Sequence, residues 1–232
     1  MIIGLSGHIK SGKSTAAQLI QSETNNKFVE KYFAYKLKFI ASYLTGDPIQ
    51  LFETQEGKEG YLEDWGMTRR EILQKLGTES LRENFDKNVW IKGVFADYKP
   101  QSVSAPAAIS GNPQIEKYPN WIISDVRFPN EADAIKTKGG LLLRVNRPVD
   151  LIYPNEWNSY ASENKDSELS EKGFHEWLSY GDTKQFDLFK KLTHPSEIGL
   201  DDYEDFDFIV DNNDTLESFQ GKIKHIIHTH LN

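Results

Sequence analysis

Apolar positions follow two alternating rhythms along the chain. Short apolar runs bounded by glycine or polar residues read as buried strands, and residues 2–5, closed by Ser6-Gly7, are the first. Residues 28–35, aromatic and β-branched, form a second; residues 121–124, 141–145 and 206–210 form three more. Between these runs the spacing becomes helical. One helix is predicted from Gly12 through Ala16, Ala17, Leu19 and Ile20, and another over 37–44, stopped by Gly46. Thr68 and Glu71 have the spacing of a capping box, and the helix behind them carries Ile72, Leu73 and Leu76 on one face. Further helices are predicted over 88–98, over 130–138 with a stop at Gly139-Gly140, and over 216–228. Residues 46–66 read as loop or partly helical, and 148–205 as polar and mixed with weak helices around 170–192. Residues 100–119 hold four of the nine prolines and read as a loop.

Strands alternating with helices predict an α/β fold, a mainly parallel five-stranded sheet flanked by helices in three layers. At 232 residues the chain suits one domain, 1–232, with a helical region at about 36–99 and an insertion at about 148–194. Composition adds exclusions. No apolar run reaches the length of a membrane span, and the N-terminus lacks the basic and apolar regions of a signal peptide. The absence of cysteine removes disulfides and thiolate chemistry, and makes a cytoplasmic location the default expectation. A net charge of −8 argues against a nucleic-acid surface. A small anionic partner remains compatible where positive charge is concentrated, and the six arginines all fall between Arg69 and Arg147.

The strongest local signal is Gly7-His8-Ile9-Lys10-Ser11-Gly12-Lys13-Ser14, which fits G-x-x-x-x-G-K-[ST] between a strand and a helix. Glycines there let backbone N–H groups turn inward at a helix N-terminus, where anions are favoured. Gly7, Lys10, Ser11, Gly12, Lys13, Ser14 and Thr15 are thus candidate contacts to ATP, with Lys13 reaching the β- and γ-phosphates and Ser14 ligating Mg²⁺. The plain alternative is a glycine turn that only closes a β–α unit. Asp125, at the end of a neighbouring strand, is a candidate second Mg²⁺ ligand, or else a turn residue.

A phosphorylated acceptor beside ATP needs arginine forks. Arg70 and Arg82, twelve residues apart, could converge from one helical unit, and Arg127 sits at the carboxyl edge of the sheet. Each could instead pair with one of the 35 acidic residues. A phosphate monoester, with its second pKa near ~6, needs no strong base, whereas a sugar hydroxyl does. Between Phe28 and Gly46 the one acid is Glu30, early in the segment, which favours a phosphate acceptor.

These residues resemble the bacteriophage deoxynucleoside monophosphate kinases, a branch of the nucleoside monophosphate kinase-like P-loop fold. The matching blocks are the P-loop through Thr15, then Arg70-Glu71-Ile72-Leu73-Gln74-Lys75-Leu76-Gly77-Thr78-Glu79 with Arg82, and Trp90. Ser124-Asp125-Val126-Arg127-Phe128-Pro129-Asn130-Glu131-Ala132 is the most specific. Gly139-Gly140 with Arg144-Val145-Asn146-Arg147, His194-Pro195-Ser196-Glu197 and Phe208-Ile209-Val210-Asp211-Asn212 complete the set. The resemblance implies conversion of a deoxynucleoside monophosphate to the diphosphate with ATP and Mg²⁺, and allows for a homodimer. It implies acceptor roles for Arg70, Gln74 and Arg82, and places Asp125 and Arg127 near the transferring phosphate. Trp90 reads as core packing that could lie beside the acceptor pocket as a substrate contact. Where the family often has an acid and a proline after the second strand, this chain has Tyr35-Lys36. Residues 150–192 match no block; they are a candidate lid, whose cation would be Lys165, Lys172, Lys184, Lys190 or Lys191, or a peripheral elaboration. A dephospho-coenzyme A kinase-like enzyme and a non-catalytic nucleotide-binding assembly protein are the alternatives.

Overall fold

The computed structural model describes residues 1–104, 114–164 and 169–231, with backbone alone at 102–104 and 114–116. The chain runs β1 (Ile2–Ser6), α1 (Lys13–Glu23), β2 (Phe28–Lys31) and α2 (Tyr35–Thr45). Then come α3 (Gln55–Glu59), the short strands β3 (Tyr61–Leu62) and β4 (Met67–Thr68), α4 (Arg69–Gln74) with a π-helical continuation over Lys75–Glu83, and α5 (Val89–Phe95). Strands β5 (Gln101–Ser104) and β6 (Gln114–Lys117) precede β7 (Asn120–Ile123), α6 (Pro129–Thr137) and β8 (Leu141–Asn146). Helices α7 (Val149–Ile152), α8 (Pro154–Glu163), α9 (Glu171–Ser179), α10 (Thr183–Leu192) and α11 (Pro195–Ile198) lead to β9 (Phe208–Asp211) and α12 (Leu216–His230).

Contacts divide the chain into two compact units, Lys31–Pro119 with Met1, and Ile2–Glu30 with Asn120–Asn232. The second unit is a P-loop α/β fold. Its sheet has the order β2-β7-β1-β8-β9, with β1 parallel to β7 and β8, and β8 parallel to β9. Alternation along the strands assigns the two faces. Ile3, Leu5, Ile122, Leu143 and Val145 pack under α1 and α12, whose Phe219, Ile223 and Ile227 form a stripe at four-residue spacing. Gly4 faces the other way, and a Cβ there would come within 2.7 Å of Ile135 on α6. That missing side chain is what lets α6 lie close on the sheet.

Helices α7 to α10 form a second core in this unit, built on Val149, Tyr153, Tyr160, Phe174, Leu178 and Leu192. The sequence reading of 148–205 missed α8, because Asn, Ser and Glu mask its apolar face. Trp157 and Tyr160 lie three apart on that face and meet the Phe174 ring at 5.3 and 5.7 Å.

The Lys31–Pro119 unit is mostly helical, with Ala41, Phe52 and Ile72 at its core. The capping box forms as expected: Glu71 N–H donates to Thr68 Oγ1 at 3.2 Å, and Thr68 N–H to Glu71 Oε2 at 2.7 Å. Two expectations are corrected. The second strand stops at Lys31; the chain turns at Tyr32 and enters α2, so Phe33 is buried edge-to-face against Phe95 at 6.1 Å and does not continue a sheet. Residues 100–119 are not a plain loop, since β5 and β6 pair antiparallel from Gln101↔Lys117 to Ser104↔Gln114. Pro100 and Pro119 flank these strands and interrupt neither, so their missing N–H groups cost no ladder bonds.

Candidate active site

The P-loop has the backbone its sequence demands. Gly7 and Gly12 take φ of 140° and 113°, and Lys10 adopts 61°. A Cβ at Gly7 would lie 2.2 Å from the Val145 carbonyl oxygen, and one at Gly12 would lie 2.7 Å from the Asn212 amide nitrogen. Both glycines are fixed by close approach as well as by φ. Lys13 folds back on the loop, donating from Nζ to the carbonyls of Gly7 (2.7 Å) and His8 (2.8 Å). Burial pulls its pKa from 10.5 to about 8; Arg127 and Arg144 push the same way, while Glu197 and Asp125 oppose them.

The field at Lys13 therefore brings together Asp125 and Arg127, both singled out in the sequence, and Arg144 and Glu197, which were quoted there without a role. Arg127 lies just past β7, its backbone N–H received by the buried Glu131 at 2.9 Å. Its guanidinium pairs with Glu197 and donates to the Ser196 carbonyl at 3.0 Å. Arg144 reaches Asp201 at 2.7 Å, and the same Asp201 oxygen meets His8 of the P-loop at 2.7 Å. His194 serves as the cap of α11, receiving Ser196 N–H on Nδ1 at 3.2 Å.

A cavity of about 390 Å³ opens beside the loop, lined by Lys10 through Thr15 and by Arg147, Asn212, Asp214, Leu216 and Phe219. Asn212 donates to the Ser11 carbonyl at 2.8 Å, tying the end of β9 to the loop. Ser11 itself is fully buried. Sequence reasoning named the P-loop wall of this cavity and quoted Arg147 and Asn212 of the other without a role. The available signal was an Asp211-Asn212-Asn213 turn where a strand reaches the carboxyl edge. On its far side the loop meets the α7–α10 cluster: Ile9 packs against that core and Lys10 lies 4.7 Å above the Tyr153 ring.

The remaining sequence candidates belong to the other unit. Arg70 gives both Nε and Nη2 to one oxygen of Glu59, at 3.1 and 3.0 Å. Gln74 is exposed four residues on, and Arg82, partly buried, lies on the π-helical continuation. Trp90 is a core residue: only 6% exposed, it donates Nε1–H to the Gly77 carbonyl at 3.0 Å and ties α5 to that continuation. Glu30, read as early in its strand, stands near the carboxyl end of the shortened β2 and receives the Ser124 hydroxyl at 2.5 Å.

Over 96% of its length the chain is 31% identical to an Acanthamoeba polyphaga mimivirus protein named "Putative deoxynucleotide monophosphate kinase", 94% of which is covered. The chain belongs to the deoxynucleotide monophosphate kinase family. A second member, the deoxynucleotide monophosphate kinase of Enterobacteria phage T4, is 31% identical over 87 residues, covering 38% of this chain and 31% of that one. No family model matches. Shikimate kinase from Bacteroides thetaiotaomicron aligns over 100% of the chain and 99% of its own, at 10% identity and a TM-score of 0.45. Dephospho-CoA kinase from Campylobacter jejuni does so over 98% and 96%, at 15% identity and a TM-score of 0.40. Neither likeness is strong enough to bear on the chemistry, and the family assignment stands on the viral relative alone.

Proposed function

We propose that this protein transfers the terminal phosphoryl group of ATP to a deoxynucleoside 5′-monophosphate, yielding ADP and the deoxynucleoside diphosphate. The observation that carries the reading is the setting of Lys13, on a strand–loop–helix P-loop within the field of Asp125, Arg127 and Arg144. Phosphoryl transfer consists mostly of positioning and charge neutralisation, and this is a set of charges built for it. In the reading, Lys13 leaves the Gly7 and His8 carbonyls for the donor's β- and γ-phosphates. The N–H groups of residues 10–15 surround them, and Arg127 steadies the transferring group. The acceptor phosphate is already nucleophilic at neutral pH, so no base is assigned.

Mg²⁺ fits the residues present. Ser14 and Asp125 offer hard oxygen donors, the kind that suits an ion which keeps several waters and takes phosphate oxygens. When bound, Mg²⁺ would neutralise charge on the β- and γ-phosphates. Arg70, Gln74 and Arg82 are the proposed acceptor contacts, and all lie in Lys31–Pro119. We take residues 36–99 as the acceptor-binding region of the kinase and residues 148–194 as its lid, with Lys172, Lys184, Lys190 or Lys191 as the lid's cation; Lys165 lies outside the described residues. The relatives are viral, which supports a host-cytoplasmic setting, and a homodimer belongs to the same reading.

An ADP-release assay with ATP and Mg²⁺ tests this, offering each deoxy- and ribonucleoside monophosphate and dephospho-coenzyme A. Turnover is expected with at least one deoxynucleotide. Glu30 beside Ser124 keeps a second reading in the assay, because an acid at that edge is what a hydroxyl acceptor requires. Turnover with dephospho-coenzyme A alone would favour it, and ATP binding without any turnover would favour a non-catalytic role.

A further inference from the structure

One buried carboxylate next to the P-loop has no task in the transfer described above. Glu197, whose side chain is 10% exposed, turns its two oxygens to different partners. Oε2 accepts the N–H of Ile9, inside the P-loop, at 2.9 Å. Oε1 pairs with Nη1 of Arg127, which also donates to the carbonyl of Ser196. The approach depends on Gly199, where a Cβ would lie 2.7 Å from both the Arg127 and Pro195 carbonyl oxygens. Arg127 is thus held twice: its backbone by Glu131, its side chain by Glu197.

An ion pair with one exposed partner adds little to stability by itself, and the Arg127 side chain is 36% exposed. What a two-sided carboxylate adds is a fixed span between two donors. We propose that Glu197 is a positioning residue that sets the Arg127 guanidinium at a constant distance from the P-loop, so that both act on one phosphoryl group. The proposal rests on the kinase reading, in which Arg127 and the loop share that group. Glu197 does not itself touch substrate; it acts through Ile9 and Arg127.

The test is Glu197→Gln. The amide keeps the volume and one acceptor oxygen, but its NH₂ must face either Ile9 N–H or Arg127, both donors, so one side of the bridge opens. A displacement near 1 Å costs catalysis about 100-fold. The expected result is a 10- to 100-fold lower kcat with KM for ATP within about threefold. Because the effect runs through Arg127, Glu197→Gln should cost nothing further in an Arg127→Ala background. An equal cost in both backgrounds overturns the proposal.

Glu197→Asp keeps the charge but shortens the reach by one methylene, so kcat falls again with KM for ATP within about threefold; this variant also decides the matter if the glutamine variant does not fold. A mere strut would lower the melting temperature and leave the kcat of the folded protein in place. Wild-type kcat in both variants overturns the proposal. If the wild-type protein itself shows no turnover, the kinase reading fails; turnover in the wild type with unchanged kcat in the variants rejects the role of Glu197 alone.

Discussion

Replacing Lys13 with methionine should abolish turnover and yet raise the stability of the unliganded protein at pH 7. The lysine's pKa falls from 10.5 to about 8 on folding, chiefly through burial. At roughly 1.4 kcal/mol per pH unit that corresponds to about 3 kcal/mol held against the charged side chain. Part of Lys13 still reaches water, so we discount the figure to about 2 kcal/mol. Methionine also gives up the bonds to the Gly7 and His8 carbonyls, a loss of about 1 kcal/mol. The net gain is therefore about 1 kcal/mol, or a rise of about 2–4 °C in melting temperature for a chain of this size. The sign with pH is fixed by the direction of the shift. The folded state binds fewer protons than the unfolded one between about pH 8 and 10.5, so wild-type stability rises with pH through that window. Below pH 8 the full penalty is present, and towards pH 10 the variant's advantage should shrink. Differential scanning fluorimetry at pH 7 and pH 10, without nucleotide, measures both. A variant less stable than wild type at pH 7, or a gap unchanged at pH 10, would refute the reasoning and make Lys13 a strut of the empty loop.

Arg82→Ala should raise KM for the acceptor at least tenfold while KM for ATP changes little; an unchanged acceptor profile would reassign the residue to structure. Trp90→Phe removes the bond to Gly77 and leaves a small void, and should cost about 1–3 kcal/mol, chiefly because a buried carbonyl loses its donor; urea unfolding measures it. Gly4→Ala should destabilise by about 1–3 kcal/mol, since the new methyl meets Ile135 and Leu142 at 2.7 Å. Thermal melts that match wild type would show that α6 can move aside.

Most of the sheet was legible because β1, β7, β8 and β9 are short, mainly apolar runs bounded by polar residues. The P-loop was legible because its glycines answer local demands that only glycine meets. Glu197 was not, since its importance depends on Ile9 and Arg127, which lie 188 and 70 residues away. No local pattern distinguishes such a carboxylate from one facing water. Helix α8, and the core it shares with the weak helices predicted around 170–192, escaped for another reason. That core is aromatic, with Trp157, Tyr160, Phe174 and Trp177 stacked or edge-on across two helices, and aromatics scattered through polar sequence give little periodic signal. Pro100 and Pro119 misled the reading of 100–119, because proline beside a strand and proline within one look alike in composition.

Ile9 belongs at once to the loop that would face ATP and to the apolar core of the α7–α10 cluster. Those helices are therefore not an appendage that could be trimmed to leave a working minimal fold. Cutting them away would strand an isoleucine in water at the rim of the anion site and remove Tyr153 from beneath Lys10. The coupling also runs in reverse. Any rearrangement of the cluster would pull on Ile9, so a stretch whose polar sequence shows no clear pattern still holds one wall of the P-loop.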